Sequence, residues 1–175
     1  MPEMPELQPC TLRPLVEGDL EMVLAWRNRP EVRNVMLTQH EIELDEHRRW
    51  FAKAAADPTR CLLLVAVAGQ PLGYVHFSGV ASGGIADWGF YAAAGAPPGA
   101  GSQIGRAALD HAFAVLGVHK VCGQVLASNT ASLRLHRKLG FFEEGVLREQ
   151  QRLGDDYHDL ICFGLLRREW RGQTG

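Results

Sequence analysis

The chain has 175 residues, 46% of them hydrophobic and 22% charged, which predicts one globular domain over residues 1–175 with a single sizeable core. Its 18 basic and 20 acidic side chains are interspersed and give a net charge of -2, so neither nucleic acid nor an anionic membrane is an expected partner. No apolar run approaches the length of a bilayer span and the first residues do not resemble a signal peptide, so we expect a cytoplasmic protein.

The first third of the chain predicts one edge strand followed by three helical pieces. Residues 11–15 alternate in polarity, with Pro14 where an edge strand tolerates a missing hydrogen-bond donor. Asp19 is a candidate N-cap for a helix over residues 20–28, which ends before Pro30. Two more helical stretches are predicted over residues 31–36 and 43–56.

From residue 60 the pattern changes to strands. Apolar runs predict strands over residues 61–67, 72–77 and 85–91, the first two joined by a tight turn at Gly69-Gln70. Gly89, inside the third of these strands, indicates a bulge or a close approach to the backbone.

The last part of the chain alternates between helix and strand. The predicted elements are a helix over 102–116, a strand over 120–126, a helix over 129–139 and a strand pair over 146–153 and 158–166. Residues after Trp170 are expected to form a polar tail. The complete order predicts an α/β (α+β) fold, with a mixed, mostly antiparallel sheet of about seven strands and helices on both faces.

The four cysteines carry no recognisable chemistry. They form no CxxC pair, no Cys/His cluster with metal-ligand spacing and no nucleophile setting, so we expect reduced core residues and no metal site. They lie in predicted strands: Cys10, Cys61, Cys122 and Cys162.

A glycine turn precedes the helix predicted over residues 102–116. Gly99 and Gly101 would let a ligand approach the backbone closely, and the first N–H groups of a helix are unpaired and carry a positive partial charge. Such a turn can bind a phosphate or pyrophosphate. It is equally typical of an ordinary helix start, so this signal is weak alone.

Three polar residues share one side of the helix over 129–139. Asn129, Ser132 and His136 stand at i, i+3 and i+7, beside an apolar stripe that includes Leu135 and Leu139. This spacing predicts a polar working edge between core and solvent. The alternative is that Asn129 is only an N-cap and His136 only a surface histidine.

These two features together resemble the GNAT acetyltransferase superfamily. The resemblance is carried by Gly99-x-Gly101 at a helix start and by the later run Asn129-x-x-Ser132-x-x-Leu135-His136-x-Lys138-x-Gly140-Phe141. It implies the GNAT fold, acetyl-CoA as cosubstrate, its pyrophosphate on the glycine turn and its pantetheine arm on a splayed strand. By this resemblance the acetyl-CoA residues are Phe90, Tyr91, Ala92, Gly99, Ala100, Gly101, Ser102, Asn129 and Ser132.

The chain departs from the family pattern at two positions. Ala96 stands three residues before the first glycine, where the family usually has Gln or Arg that contributes to phosphate binding. His136 stands where the family often has a Tyr that protonates the departing CoA thiolate. Histidine can donate a proton near neutral pH, so His136 is either the catalytic acid or a histidine that only lines the pocket.

The N-terminal helices carry a second resemblance. Residues 27–36, an Arg-Asn-x-Pro-Glu-x-Arg-x-x-Met pattern, and residues 46–51, a Glu-His-x-x-Trp-Phe pattern, resemble the N-acetyltransferase branch of the pseudaminic acid pathway. That branch acetylates the 4-amino group of a UDP-linked 4-amino-4,6-dideoxy sugar, so an amino sugar nucleotide is the implied small-molecule partner. The acceptor residues by this resemblance are Arg27, Met36, His47, Ser78 and Tyr91, and Phe51 would add an apolar wall. From the residues alone, Arg27 could instead serve its helix end, and His47 with Phe51 could form a packing edge.

The expected mechanism is direct acetyl transfer in a ternary complex, with a backbone N–H near residues 90–92 stabilising the oxyanion. Three candidates stay open for the general base: His47, His76 and Asp87. Two other functions stay open, a ribosomal-protein or peptide N-terminal acetyltransferase and a non-catalytic acyl-CoA-binding module. The sequence does not decide between a monomer and a homodimer.

Overall fold

The computed structural model describes residues 8–170, which contain seven strands and five α-helices. The strands are β1 (Cys10–Pro14), β2 (Cys61–Val67), β3 (Gln70–Ser78), β4 (Ile85–Ala92), β5 (Lys120–Leu126), β6 (Phe142–Leu153) and β7 (Asp156–Leu166). The helices are α1 (Leu20–Arg27), α2 (Pro30–Arg33), α3 (Leu44–Ala55), α4 (Ala100–Ala114) and α5 (Thr130–Lys138), with 3-10 turns at Glu17–Asp19 and Arg167–Glu169.

The strands form one sheet in the order β1-β2-β3-β4-β5-β7-β6. Only the β4–β5 pair is parallel; the other five pairs are antiparallel. The predicted mixed, mostly antiparallel α/β fold is therefore confirmed. The parallel pair requires a crossover, and α4 supplies it.

Side chains alternate between the two faces of the sheet, and each face has its own core. Along β2, Leu63 and Val65 join the core that α4 covers, whereas Leu64 joins the core formed with α1 and α3. On the α4 side Ile104 is fully buried, and on the α1 side Val23 is fully buried. Helices therefore lie on both faces, as predicted.

Local chemistry explains where the boundaries differ from the predicted ones. The β2–β3 turn is Ala68-Gly69 rather than Gly69-Gln70, because both of its residues take positive φ, 50° and 76°, as a two-residue hairpin loop requires. Asp19 gives α1 no side-chain cap; its carboxylate instead binds Arg13 and the N–H of Val16.

Three further predictions need correction. The helix predicted over 31–36 is only the four-residue α2, and the last strand pair is longer, with β6 beginning at Phe142. The four cysteines are half-buried in strands rather than fully buried in the core. The predicted tail after Trp170 lies outside the described residues. No helix within residues 8–170 is long and apolar enough to span a bilayer.

Candidate active site

The parallel strands β4 and β5 diverge halfway along their length. They pair only from Ile85 with Lys120 to Asp87 with Cys122. Beyond these residues both strands continue, to Ala92 and Leu126, and each keeps its other neighbour, β3 or β7. The divergence opens a V-shaped gap in the middle of the sheet, and β4 is the splayed strand that the family resemblance implies.

Backbone groups of β4 face this gap in alternation. The N–H of Ala93 donates to the carbonyl of Leu72 on β3, so the residues that pair in this way with β3 are Ala93, Tyr91 and Gly89. The N–H and C=O groups of Trp88, Phe90 and Ala92 therefore point away from β3, into the gap. Of the predicted residues 90–92, Phe90 and Ala92 direct their backbone groups into the gap and Tyr91 does not; the Ala92 carbonyl already accepts from Arg29.

The glycine turn lies beside the gap. Gly99 has a φ of 86°, which favours glycine, and α4 begins directly after it at Ala100. A side chain at Gly101 would contact Leu135 of α5 at 3.4 Å, and Leu135 lines the cleft described below. The N–H of Ala100 bonds Pro97 and that of Gln103 bonds Gly99, but within residues 8–170 those of Gly101 and Ser102 donate to no carbonyl outside the helix. Ala96 is partly buried against the core and offers no polar side chain to this turn.

A cleft of about 690 Å³ passes through the gap from α5 to the α1–α3 side. The structure brings together eight of the predicted site residues on its walls: Arg27, Met36, His47, Phe90, Tyr91, Asn129, Ser132 and His136. Ala92 and the turn residues Gly99, Ala100, Gly101 and Ser102 lie outside these walls.

Two predicted acceptor residues are also placed elsewhere. Phe51 is partly buried against the core beneath α1 and does not line the cleft. Ser78 pairs with Asp87, where the sheet is still closed. The structure therefore does not support Phe51 and Ser78 as acceptor contacts, and it moves Asp87, one of the base candidates, away from the cleft walls.

The cleft also contains aromatic residues that the sequence analysis did not assign to the site. Trp50 stacks on His47 with centroids 5.1 Å apart, and Tyr74 packs on Tyr91 at 5.1 Å. Trp88 lines the opposite wall. The i, i+3 spacing of His47 and Trp50 could have predicted that Trp50 shares a helix side with His47. No local sequence pattern distinguishes Tyr74 from an ordinary strand residue.

His136 is the one buried residue of α5, so the polar edge predicted for this helix is not open to solvent at that point. Its Nδ1 lies 2.8 Å from the carbonyl oxygen of Ser132, which can only accept, so Nδ1 carries the proton. Its Nε2 lies 3.2 Å from Nε1 of Trp88, an indole N–H that can only donate, so Nε2 is unprotonated. The ring is a neutral imidazole with both nitrogens engaged.

This tautomer bears on the predicted role of His136 as a proton donor. Burial lowers the pKa of His136, and protonation of Nε2 would place two N–H groups against each other. Of the two interpretations that the sequence left open, the geometry therefore favours a histidine that lines the pocket. Asn129 is an N-cap as well as a cleft residue, since its Oδ1 accepts from the N–H of Ser132 at 3.2 Å.

The side of the cleft next to α1 and α3, where the resemblance places the acceptor and which is called the acceptor half below, contains buried polar atoms that have no partner among residues 8–170. Within residues 8–170 three buried side-chain atoms make no hydrogen bond: Nη1 of Arg27, Nε2 of His47 and the hydroxyl of Tyr74. All three residues line the cleft. Since buried polar groups are nearly always paired, three orphans in one cleft indicate a place for a polar ligand.

The charge states of these groups follow from their surroundings. Burial lowers the pKa of Arg27, but a guanidinium stays charged at any physiological pH. Burial, together with the Arg27 charge, lowers the pKa of His47, so this ring is neutral near pH 7. Burial raises the pKa of Tyr74 well above its ordinary value, so its hydroxyl is a donor. The three groups form one cation and two neutral hydrogen-bonding partners.

His76 lies on the same side, across Gly89 in the β3–β4 register. A Cβ at Gly89 would come within 2.5 Å of Cε1 of His76, so the prediction of a close approach at Gly89 holds, with the His76 ring as the approaching group. The bulge predicted as the alternative is absent, because β3 and β4 pair in continuous register. Burial lowers the pKa of His76 to about 4, which makes the ring neutral near pH 7.

Comparisons with known proteins agree with this geometry. The family model described as an acetyltransferase (GNAT) domain matches residues 10–142. The chain belongs to the GNAT acetyltransferase family. The match contains the splayed strands, the glycine turn and α5.

Individual relatives of this GNAT chain are more distant. The prophage-derived N-acetyltransferase YokL of Bacillus subtilis is 43% identical over 63 residues, 36% of each protein, so the match spans about a third of that relative. Acetyltransferase PseH of Campylobacter jejuni is 26% identical over 123 residues, 70% of this chain and 76% of PseH. The crystal structure of Vibrio cholerae spermidine N-acetyltransferase with CoA and spermine is similar with a TM-score of 0.84 and 24% identity, covering 91% of this chain and 96% of that one, which shows a common fold.

Proposed function

We propose that this chain transfers an acetyl group from acetyl-CoA to the 4-amino group of a UDP-linked 4-amino-4,6-dideoxy sugar, by direct transfer in a ternary complex. The similarity to PseH over 70% of the chain supports this acceptor, and the family supports the reaction. The observation that carries the proposal is the buried Nη1 of Arg27, a charged donor in the acceptor half of the cleft that has no hydrogen-bond partner within residues 8–170.

The other half of the cleft has features that suit acetyl-CoA. An arm with amide groups can donate to the backbone carbonyl of Phe90 as an added strand would. The N–H groups of Gly101 and Ser102, at the start of the 15-residue α4, have no backbone acceptor within residues 8–170 and suit a pyrophosphate. When bound, acetyl-CoA would supply the thioester carbon that the amine attacks.

The acceptor half has features that suit an anionic acceptor. Phosphate oxygens would satisfy Nη1 of Arg27, and charge-assisted hydrogen bonds of this kind are the strong ones. The aromatic wall of Trp50 and Tyr91 suits the apolar edge of a deoxy sugar.

The same site is unfavourable for a polyamine. A spermidine cation would lie near the buried charge of Arg27, and like charges repel strongly where water is excluded. Two carboxylates that line the cleft are already paired, Glu46 with His40 at 3.0 Å and Glu31 with Arg29 at 3.3 Å. This is why we favour the nucleotide over the polyamine, although polyamine acetyltransferases share the fold.

In the proposed mechanism the N–H of Phe90 donates to the oxyanion that forms as the amine attacks the thioester carbonyl. The amine loses its proton to a base on the acceptor side, where two of the three candidates from the sequence, His47 and His76, line the cleft. A thiolate is a good leaving group, so solvent can return the proton to sulfur without His136.

The test is a mass-spectrometric assay with acetyl-CoA and a panel of acceptors. The panel contains a UDP-4-amino-4,6-dideoxy sugar, the same sugar without its nucleotide, spermidine and a mixture of ribosomal proteins. We expect one added acetyl group on the sugar nucleotide alone. Acetylation of spermidine or of a ribosomal protein instead, or tight CoA binding with no product from any acceptor, would refute this acceptor assignment.

A further inference from the structure

The apex of the V between β4 and β5 is occupied by a hydrogen-bonded pair of rings. Asp87 and Cys122 are the last paired residues, so Trp88 and Gly123 are the first residues of each strand past the apex. The Trp88 indole and the His136 ring meet directly above Gly123. A Cβ at Gly123 would lie 2.7 Å from Nε2 of His136 and 3.0 Å from Nε1 of Trp88.

Other aromatic rings hold this pair in place. His136 stacks on Phe163 with centroids 5.0 Å apart, and Phe163 is the β7 residue paired with Gly123. Trp88 stacks on Phe141 at 5.2 Å. The two rings are 7% and 5% exposed, so the pair is a buried bridge between β4 and α5 across the surface of β5. It cannot move toward the sheet without striking the backbone of Gly123.

We propose that the Trp88–His136 pair is a wedge that fixes how far β4 and β5 separate, and so sets the width of the slot that receives acetyl-CoA. Trp88 donates and His136 accepts, so the bond sets the distance from the first splayed residue of β4 to α5. The α5 end of the bridge is fixed because Nδ1–H of His136 donates to the Ser132 carbonyl. In this account both are positioning residues rather than catalytic residues.

The inference rests on the proposed acetyl-CoA site, and it makes Gly123 a necessary partner. A larger residue there would push the wedge outward without removing either ring. His136→Gln would keep the hydrogen bond from the Trp88 indole, because the Gln side-chain oxygen can accept it, but the amide cannot act as a catalytic acid. His136→Phe would keep a ring at this position but remove the hydrogen-bond acceptor for the Trp88 indole.

The experiment is calorimetric titration of CoA into six variants and the wild type. His136→Phe, Trp88→Phe and Gly123→Ala should each bind CoA about tenfold more weakly, which is the effect of losing roughly one hydrogen bond and its geometry. His136→Gln should bind within about threefold of wild type. Gly145→Ala, at a β6 glycine with open space around it, and Trp170→Phe, whose indole bonds Asp110 far from the cleft, should be unchanged.

A second readout needs no CoA. Hydrogen exchange of the free protein should accelerate in residues 85–92 and 120–126 for His136→Phe and Gly123→Ala, and stay unchanged for His136→Gln and Gly145→Ala. If the wild-type protein does not bind CoA, the acetyl-CoA site is refuted, and the exchange pattern alone then tests the wedge. Wild-type exchange and CoA affinity in both His136→Phe and Gly123→Ala would overturn the wedge, whatever the acceptor is.

Discussion

Arg29 donates from Nη2 to the carbonyl oxygen of Ala92 at 2.8 Å, which joins the corner between α1 and α2 to the end of the splayed strand β4. The same guanidinium bonds the carbonyl of Trp26 through Nε at 3.3 Å. The Ala92 carbonyl faces the gap, where the pantetheine arm is predicted to bind. Because it already accepts this hydrogen bond from Arg29, it is not free to accept one from the arm. The contact therefore links the α1–α2 corner to β4 across the end of the cleft.

Loss of this tie should destabilise the fold. Arg29→Met removes a charged donor from two carbonyls, and we expect the free energy of unfolding in urea to fall by about 1.5–3 kcal/mol. Arg33→Met is the matched control, because Arg33 has a 3.7 Å contact with the exposed Glu41 and such pairs contribute about 0–1 kcal/mol. Equal losses in the two variants would show that the Ala92 contact has no special role.

Arg27 should control acceptor binding and leave CoA binding alone. Arg27→Gln keeps polar atoms near Thr38 but removes the charge, so we expect kcat/KM for the sugar nucleotide to fall by about a hundredfold, as for a buried charged hydrogen bond. The affinity for CoA, measured by calorimetry, should stay within about twofold of wild type. An unchanged kcat/KM for the sugar nucleotide would remove Arg27 from the acceptor site.

Asn28 should act through the loop that covers the acceptor half. Its side chain makes two 2.8 Å bonds with the backbone of Ile42, donating to the carbonyl and accepting from the N–H. Asn28→Ala should raise KM for the acceptor about tenfold with little change in kcat, because this loop contributes cleft residues such as Met36 but no reacting group. A fall in kcat at unchanged KM would contradict this assignment.

Stability should depend on pH through His76. The pKa of His76 in the folded protein, about 4, lies below the ordinary value of 6.5. Between these two pH values the unfolded chain binds a proton at this residue and the folded chain does not. Stability is therefore lost as the pH falls from 6.5 toward 4, by on the order of 2–3 kcal/mol for this group. His76→Leu should flatten that part of the curve in urea unfolding at a series of pH values; an unaltered slope would show that His76 is not desolvated.

The sequence predicted the scaffold well, for physical reasons. The apolar runs of β2 and β5 give the strand limits as observed, because both strands lie inside the sheet and nearly all of their residues are buried or half-buried. The glycine turn and the Asn129 cap likewise have local signatures.

The site was predicted only in part, because its main contacts join residues that are far apart in the sequence. His136 occupies a position that helical spacing assigns to a polar edge, and it is buried by Trp88, 48 residues away in the sequence. The unpaired atoms of Arg27, His47 and Tyr74 come from α1, α3 and β3, and no local pattern shows that they share a cleft. Phe51 was assigned to the acceptor because it follows His47 by one turn, whereas Trp50 is the residue that stacks on His47.

The most direct test of the central claim is a competition assay. Equimolar UDP-4-amino-4,6-dideoxy sugar and spermidine are mixed with acetyl-CoA and the wild-type protein, and the two acetylated products are quantified by mass spectrometry. The buried charge of Arg27 predicts acetylated sugar nucleotide in excess by about a hundredfold, the effect expected for one buried, charge-assisted hydrogen bond. An excess of acetylspermidine would contradict the account.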